Sequence, residues 1–214
     1  MLTLGVDTAE PIGGVSLFEA GILAEERLMG EPLRHAESLL PLIDRLLEES
    51  SRGRGEIERV SVNRGPGSFT GLRIGLASAM GLCQALGVPL VGVDGTVAYR
   101  SRLPEESRVC VVLRSRRDLF YVRWFVGPRP NEPVLLLQQE ELIERLEREK
   151  RELTLVGSGA LGVFEQVADH ALIRLAPDEF LRPSPLTIAR IGASDRQGDQ
   201  LYEVEPLYVE PVLA

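Results

Sequence analysis

Residues 64–86, RGPGSFTGLRIGLASAMGLCQAL, constrain the fold more than any other stretch of the chain. A glycine-rich turn carrying Pro66 and Ser68 runs straight into a long apolar helix pattern. Between Leu72 and Leu86 the polar exceptions are Arg73, Ser78 and Gln84. Gly71, Gly75 and Ala79 fall on one i, i+4 stripe, and Ala77, Gly81 and Ala85 on another. Glycine inside a helix costs up to about 1 kcal/mol relative to alanine, so these positions need a compensating close approach. The pattern predicts that one stripe packs on the domain's own sheet while the other meets something else.

The turn also raises the question of a ligand. Backbone N–H groups and the helix dipole welcome anions at such a place. Yet GPGSFTG fits neither G-x-x-x-x-G-K-[ST] nor G-x-G-x-x-G, and Ser68 stands in no G-x-S-x-G elbow. The single lysine, Lys150, lies in the charged helical run ERLEREKREL and serves neither a phosphate loop nor a Schiff base. His35 and His170 lie in helical patterns without an obvious partner for nucleophile activation.

Around this segment, patterning predicts strands at 2–7, 13–18, 22–28 and 59–65, with a helix over 33–49. In that helix Leu33, Ala36, Leu39, Leu40, Ile43, Leu46 and Leu47 form one wide apolar face, and Pro41 is expected to kink or restart it. A strand at 89–94 and a short helix and linker over 94–107 follow. Strands are then expected at 108–114, 119–126 and 152–157, with helices near 139–151, 157–168 and 183–193 and an extended tail. The order suggests two α/β halves, each with a mixed sheet and each opening on a strand and hairpin. The boundary falls near Pro104, giving domains 1–103 and 104–214.

The chain has 214 residues, 44% hydrophobic, enough for one large or two small cores. No basic leader is seen, and no apolar run reaches the roughly 18 residues of a membrane span, so a cytoplasmic protein is expected. Cys83 and Cys110 sit in apolar surroundings and read as reduced core thiols. A net charge of −8 argues against a free-standing nucleic-acid binder. One local basic patch stands out, with Arg114, Arg116, Arg117 and Arg123 clustered and Arg129 nearby.

The strings VDTA (6–9), HAESLLPLI (35–43), NRGPGSFTGLRIGL (63–76) and EPLYVE (205–210) resemble the TsaB family across essentially the whole chain. That family supplies the dimerisation subunit of the bacterial machinery that makes threonylcarbamoyladenosine at position 37 of transfer RNAs. The resemblance implies a two-lobed actin-like fold of the sugar-kinase and Hsp70 superfamily. It implies a non-catalytic subunit with no cofactor, pairing through helices 33–49 and 69–86 with the threonylcarbamoyl transferase paralogue. A small ATPase joins that assembly, and tRNA is met only within it. The expected partner interface is His35, Leu39, Leu42, Leu46, Gly71, Leu72, Gly75, Ala79 and Leu82. The same helices can form a homodimer when the chain is alone.

Departures from catalytic relatives carry information too. Where the transferase has H-x-x-x-H for its metal, His35 is followed at i+4 by Leu39. Arg114 stands where nucleotide-binding members place a carboxylate, and Asp118 is a poor substitute four residues on. Asp7 and the turn Gly157-Ser158-Gly159 remain as candidates for weak, non-catalytic nucleotide binding. For Asp7 the favoured expectation is a strand-end cap on the Thr8 N–H. The competing function is an independent ATPase or a glycoprotease-like hydrolase.

Overall fold

The computed structural model describes residues 1–29, 35–195 and 203–209. The chain divides into two compact units. The first comprises Met1–Ala98 with Ser184–Leu207, and the second is built on Tyr99–Pro183.

In the first unit, β1 (Leu2–Asp7), β2 (Gly14–Glu19) and β3 (Leu23–Leu28) form an antiparallel meander. Two parallel strands, β4 (Ile57–Asn63) and β5 (Leu90–Val93), extend it to the order β3-β2-β1-β4-β5. Helices α1 (His35–Glu49) and α2 (Phe69–Leu86) pack with the sheet around one core. That core joins Leu4, Val6, Val60 and Val62 of the strands to Leu39, Ile43, Leu46, Ala79 and Cys83 of the helices. Helix α1 does not restart at Pro41, whose ring is exposed. The start expected at residue 33 lies outside the described residues. A short helix, α3 (Gly95–Arg100), follows β5.

The second unit repeats the plan. Its strands β6 (Arg108–Arg116) and β7 (Leu119–Val126) make a hairpin, to which β8 (Arg129–Pro130) and β9 (Leu135–Gln138) both pair on the β7 side. On the other side β10 (Leu153–Val156) and β11 (Ile173–Leu175) run parallel to β6. Through β9, the order β9-β7-β6-β10-β11 matches that of the first sheet, strand for strand in direction as well as in sequence. Helices α4 (Gln139–Glu147) and α5 (Ala160–Phe164) cover it. The duplication expected from the two opening hairpins is therefore present.

Two expectations are corrected. The helix over 183–193, assigned by sequence to the second domain, is α6 (Pro185–Ser194) and packs on β1, β2 and β4 of the first unit. Small residues allow this: a side chain at Gly192 would collide with Ser61, and one at Gly5 would press on Pro185 and Ala189. The guanidinium of Arg59 donates to the carbonyls of Gly192 and Asp195, which satisfies the end of α6. Second, α2 is long and apolar enough to cross a bilayer by length and composition, although the sequence reading found no such run. In this fold its inner face is covered by β4, so the apolar content serves packing.

Arg100 at the end of α3 is buried and ties down the connection into β6. Its guanidinium donates to the carbonyls of Leu103, Pro104, Glu105 and Gly127. Burial holds its pKa below the usual arginine value. Nothing in the sequence marked this arginine out.

Candidate functional site

The glycine-rich turn is built around the chain that leaves β1. Asp7, Thr8 and Ala9 are all buried, and the start of α2 lies against them. Side chains at Gly71 or Gly67 would collide with the carbonyls of Thr8 and Ala9, and one at Gly75 with the Thr8 hydroxyl. Thr8 Oγ1 donates to the Gly71 carbonyl at 2.8 Å. The compensating gain that helix glycines require is therefore close packing of α2 on the β1 turn.

The polar groups that could receive a phosphate are largely engaged within the protein. The Gly65 N–H donates to Asn63 Oδ1 at 2.9 Å, and the Ser68 N–H to the Ala9 carbonyl at 2.7 Å. Ser68 caps α2 by accepting from the Gly71 N–H at 3.1 Å. The Gly65 carbonyl accepts from the Gly95 N–H, and the Arg64 carbonyl from Leu207. Ser68 thus has a structural task, and the turn launches a helix.

Asp7 accepts from the Ala9 N–H at 3.1 Å and from Asn63 Nδ2 at 3.0 Å. The cap is on Ala9, one residue beyond the expected Thr8. Desolvation pushes its carboxyl up to about 7, against the pull of the hydrogen bonds from Ala9 and Asn63. In the second unit, Gly157 has φ +106, and a side chain there would press on Val112 and Leu113. One at Gly159 would stand 2.7 Å from the Phe120 ring. Ser158 Oγ accepts from the Arg114 N–H at 3.2 Å. Packing alone accounts for both glycines of this turn. Asp7 lies in the first unit and the Gly157–Gly159 turn in the second.

The nine expected interface residues separate sharply. Leu39, Leu46, Gly71, Leu72, Gly75 and Ala79 are buried inside their own unit, so they are core and not surface. Leu42 and Leu82 are half-buried against that core. The side chain of His35 lies outside the described residues. Sequence periodicity found the apolar stripes but could not say which one faced inward. The inward stripe is Gly71, Gly75 and Ala79; Ala77, Gly81 and Ala85 are exposed. A side chain at Gly81 would meet nothing within 4 Å. The exposed Leu40 of α1 and Phe69 of α2 add apolar surface on the same two helices.

His170 also differs from expectation. It lies in a turn, outside any helix, and its Nδ1 accepts from the Leu172 N–H at 3.3 Å. Cys83 and Cys110 are free and buried, and desolvation pushes Cys83 up to about 12. Among the described residues, no three His, Cys, Asp or Glu side chains group as metal ligands would.

Comparison with known proteins places this geometry. The profile of the TsaD family, tRNA N6-adenosine threonylcarbamoyltransferase, matches residues 32–124. A Mycobacterium tuberculosis protein described only as uncharacterized is 32% identical over 134 residues, 62% of this chain and 63% of that protein. The match therefore spans less than two thirds of that relative's length. The Escherichia coli tRNA threonylcarbamoyladenosine biosynthesis protein TsaB is 29% identical over 170 residues, covering 74% of this chain and 72% of that one. Among solved structures, YeaZ from Pseudomonas aeruginosa superposes with a TM-score of 0.76 at 24% identity, covering 97% of this chain and 99% of that one. A hexokinase from Thermus thermophilus shares the actin-like fold more distantly, with a TM-score of 0.50 at 14% identity. The transferase profile stops near the end of β7, whereas the TsaB likeness covers nearly three quarters of the chain. With the GPGSFTGLRIG turn, these likenesses support assignment of the chain to the TsaB family.

Proposed function

We propose that this protein is a non-catalytic subunit in the biosynthesis of tRNA threonylcarbamoyladenosine, pairing in the cytoplasm with the threonylcarbamoyl transferase paralogue. The relatives from Escherichia coli and Haemophilus influenzae carry the name of that pathway, and the transferase's own profile matches the segment holding α1 and α2. The observation that carries the pairing is the outer face of α2. Ala77, Gly81 and Ala85 present only small groups at the surface, so a partner helix can approach closely. A standard interface of roughly 1,600 Å² in total is sufficient for a stable complex. A small ATPase joins the pair, tRNA is engaged only in the assembly, and no cofactor is required by this chain. The engaged amides of the turn and the sealed carboxylate of Asp7 support a supporting role over turnover by this subunit.

Multi-angle light scattering of the chain alone and mixed with the paralogue tests this reading. The expected result is a one-to-one heterodimer on mixing, with any homodimer of the free chain exchanging into it. A chain that keeps its mass unchanged in the presence of the paralogue refutes the proposal.

A further inference from the structure

We propose that the tip of the β6–β7 hairpin is a contact for an RNA phosphate backbone, made by Arg114, Arg116 and Arg117.

All three residues are exposed, and among the described residues none forms an ion pair. Arg52, Arg54, Arg108 and Arg145 each lie within 4.0 Å of a carboxylate. Three guanidiniums within four residues, none ion-paired, therefore make a concentrated positive tip where the sequence placed its arginine cluster.

The tip is also held in place. Arg117 and Asp118 make the two-residue turn, and Arg117 has φ +41. Glycine or asparagine normally occupies such a position, and another residue there costs on the order of 1 kcal/mol. The register shifts between Arg114 and Arg116, so the strand bulges where the charges emerge. Ser158 accepts from the Arg114 N–H, Asp118 accepts from the Gln139 N–H, and the Arg114 guanidinium stacks over Phe120 at 5.8 Å. Little backbone entropy remains to be lost when a ligand binds.

The chemistry selects the ligand. Guanidinium forks match phosphate oxygens in pairs, which lysine cannot do. Asp118 sits in the same turn, and the chain carries −8 overall, so the ligand must offer dense negative charge to be drawn in. A phosphodiester strand does so more than an acidic peptide. A membrane surface is disfavoured, because no large hydrophobic residue is exposed between Arg108 and Leu119 to enter it. Sequence specificity is not expected, since phosphate contacts position a nucleic acid without reading it. The identity of the RNA as a tRNA rests on the proposed function; the phosphate contact does not.

The test is fluorescence anisotropy of the full-length chain mixed with the paralogue and an end-labelled tRNA transcript, titrated from low to moderate salt and read against the paralogue alone. The double substitution Arg116→Ala with Arg117→Asn is compared with Arg148→Ala with Arg151→Ala, which removes two exposed arginines elsewhere in the unit. Asparagine suits the positive φ, so the hairpin is retained, and an unchanged melting temperature verifies this. The expected result is weaker binding with a salt slope smaller by about two for the hairpin variant alone. Equal losses in both variants, or no loss in the hairpin variant, overturn the proposal. So does capture by anionic vesicles in place of RNA. Light scattering with the paralogue separates the two readings: RNA binding lost with heterodimer intact supports both, whereas arginine-dependent RNA binding without a heterodimer leaves this one standing alone.

Discussion

Thr8 and Gly71, 63 positions apart in sequence, are joined by a 2.8 Å hydrogen bond from the threonine hydroxyl to the glycine carbonyl. The same glycine has no room for a Cβ, because the Thr8 carbonyl occupies that space. One pair of residues thus fixes how α2 leaves its turn, and hence which stripe of the helix is left for a partner.

Substituting Gly71→Ala or Gly75→Leu is expected to destabilise the first unit by about 1–3 kcal/mol or more, through overpacking against the β1 turn. The midpoint of urea unfolding monitors this. Any loss of partner binding in these variants follows from the loss of fold.

Gly81→Arg should leave the unfolding midpoint within about 0.5 kcal/mol of wild type, since the position is open and arginine favours helix over glycine. Ala77→Arg should behave likewise. Both should abolish the heterodimer in light scattering. A heterodimer unaffected by either would move the interface away from α2.

Asp7 gives a pH dependence of defined sign. Its carboxyl titrates near 7 in the folded chain and near 3.8 when unfolded. Between these values the native state binds the extra proton, so this group's contribution to stability is present below about pH 4 and is lost as pH rises through 7. Asp7→Asn keeps an oxygen for Ala9 and Asn63 but cannot ionise. Its stability relative to wild type should therefore rise across that window, by about 4 kcal/mol at most. Thermal melts of both proteins at pH 4, 5.5 and 7.5 supply the comparison, and parallel curves would contradict the assignment.

Arg59→Met should loosen α6 by leaving the Gly192 and Asp195 carbonyls without their donor, at a cost of about 1–3 kcal/mol. Amide exchange should accelerate in α6 before it does in β1. Uniform acceleration throughout the unit would mean that α6 is no separate element of stability.

The local elements were readable because they obey local rules. Alternation gave β1 its bounds, and the N-cap Ser68 and the left-handed Gly87 bracket α2 where turn chemistry predicts. The repeated hairpin order gave the duplicated plan. Short β8, β9 and β11 escaped because two to four residues carry no measurable period. Tertiary structure alone decided three matters. It assigned α6 to the first unit, because that choice depends on Gly5, Ser61 and Gly192 meeting across nearly the whole chain. It turned Gly71, Gly75 and Ala79 inward, because two small stripes are equivalent until a β1 turn occupies one of them. And it raised the titration of Asp7, because desolvation is set by what surrounds a carboxylate in space, which no reading of its sequence neighbours supplies.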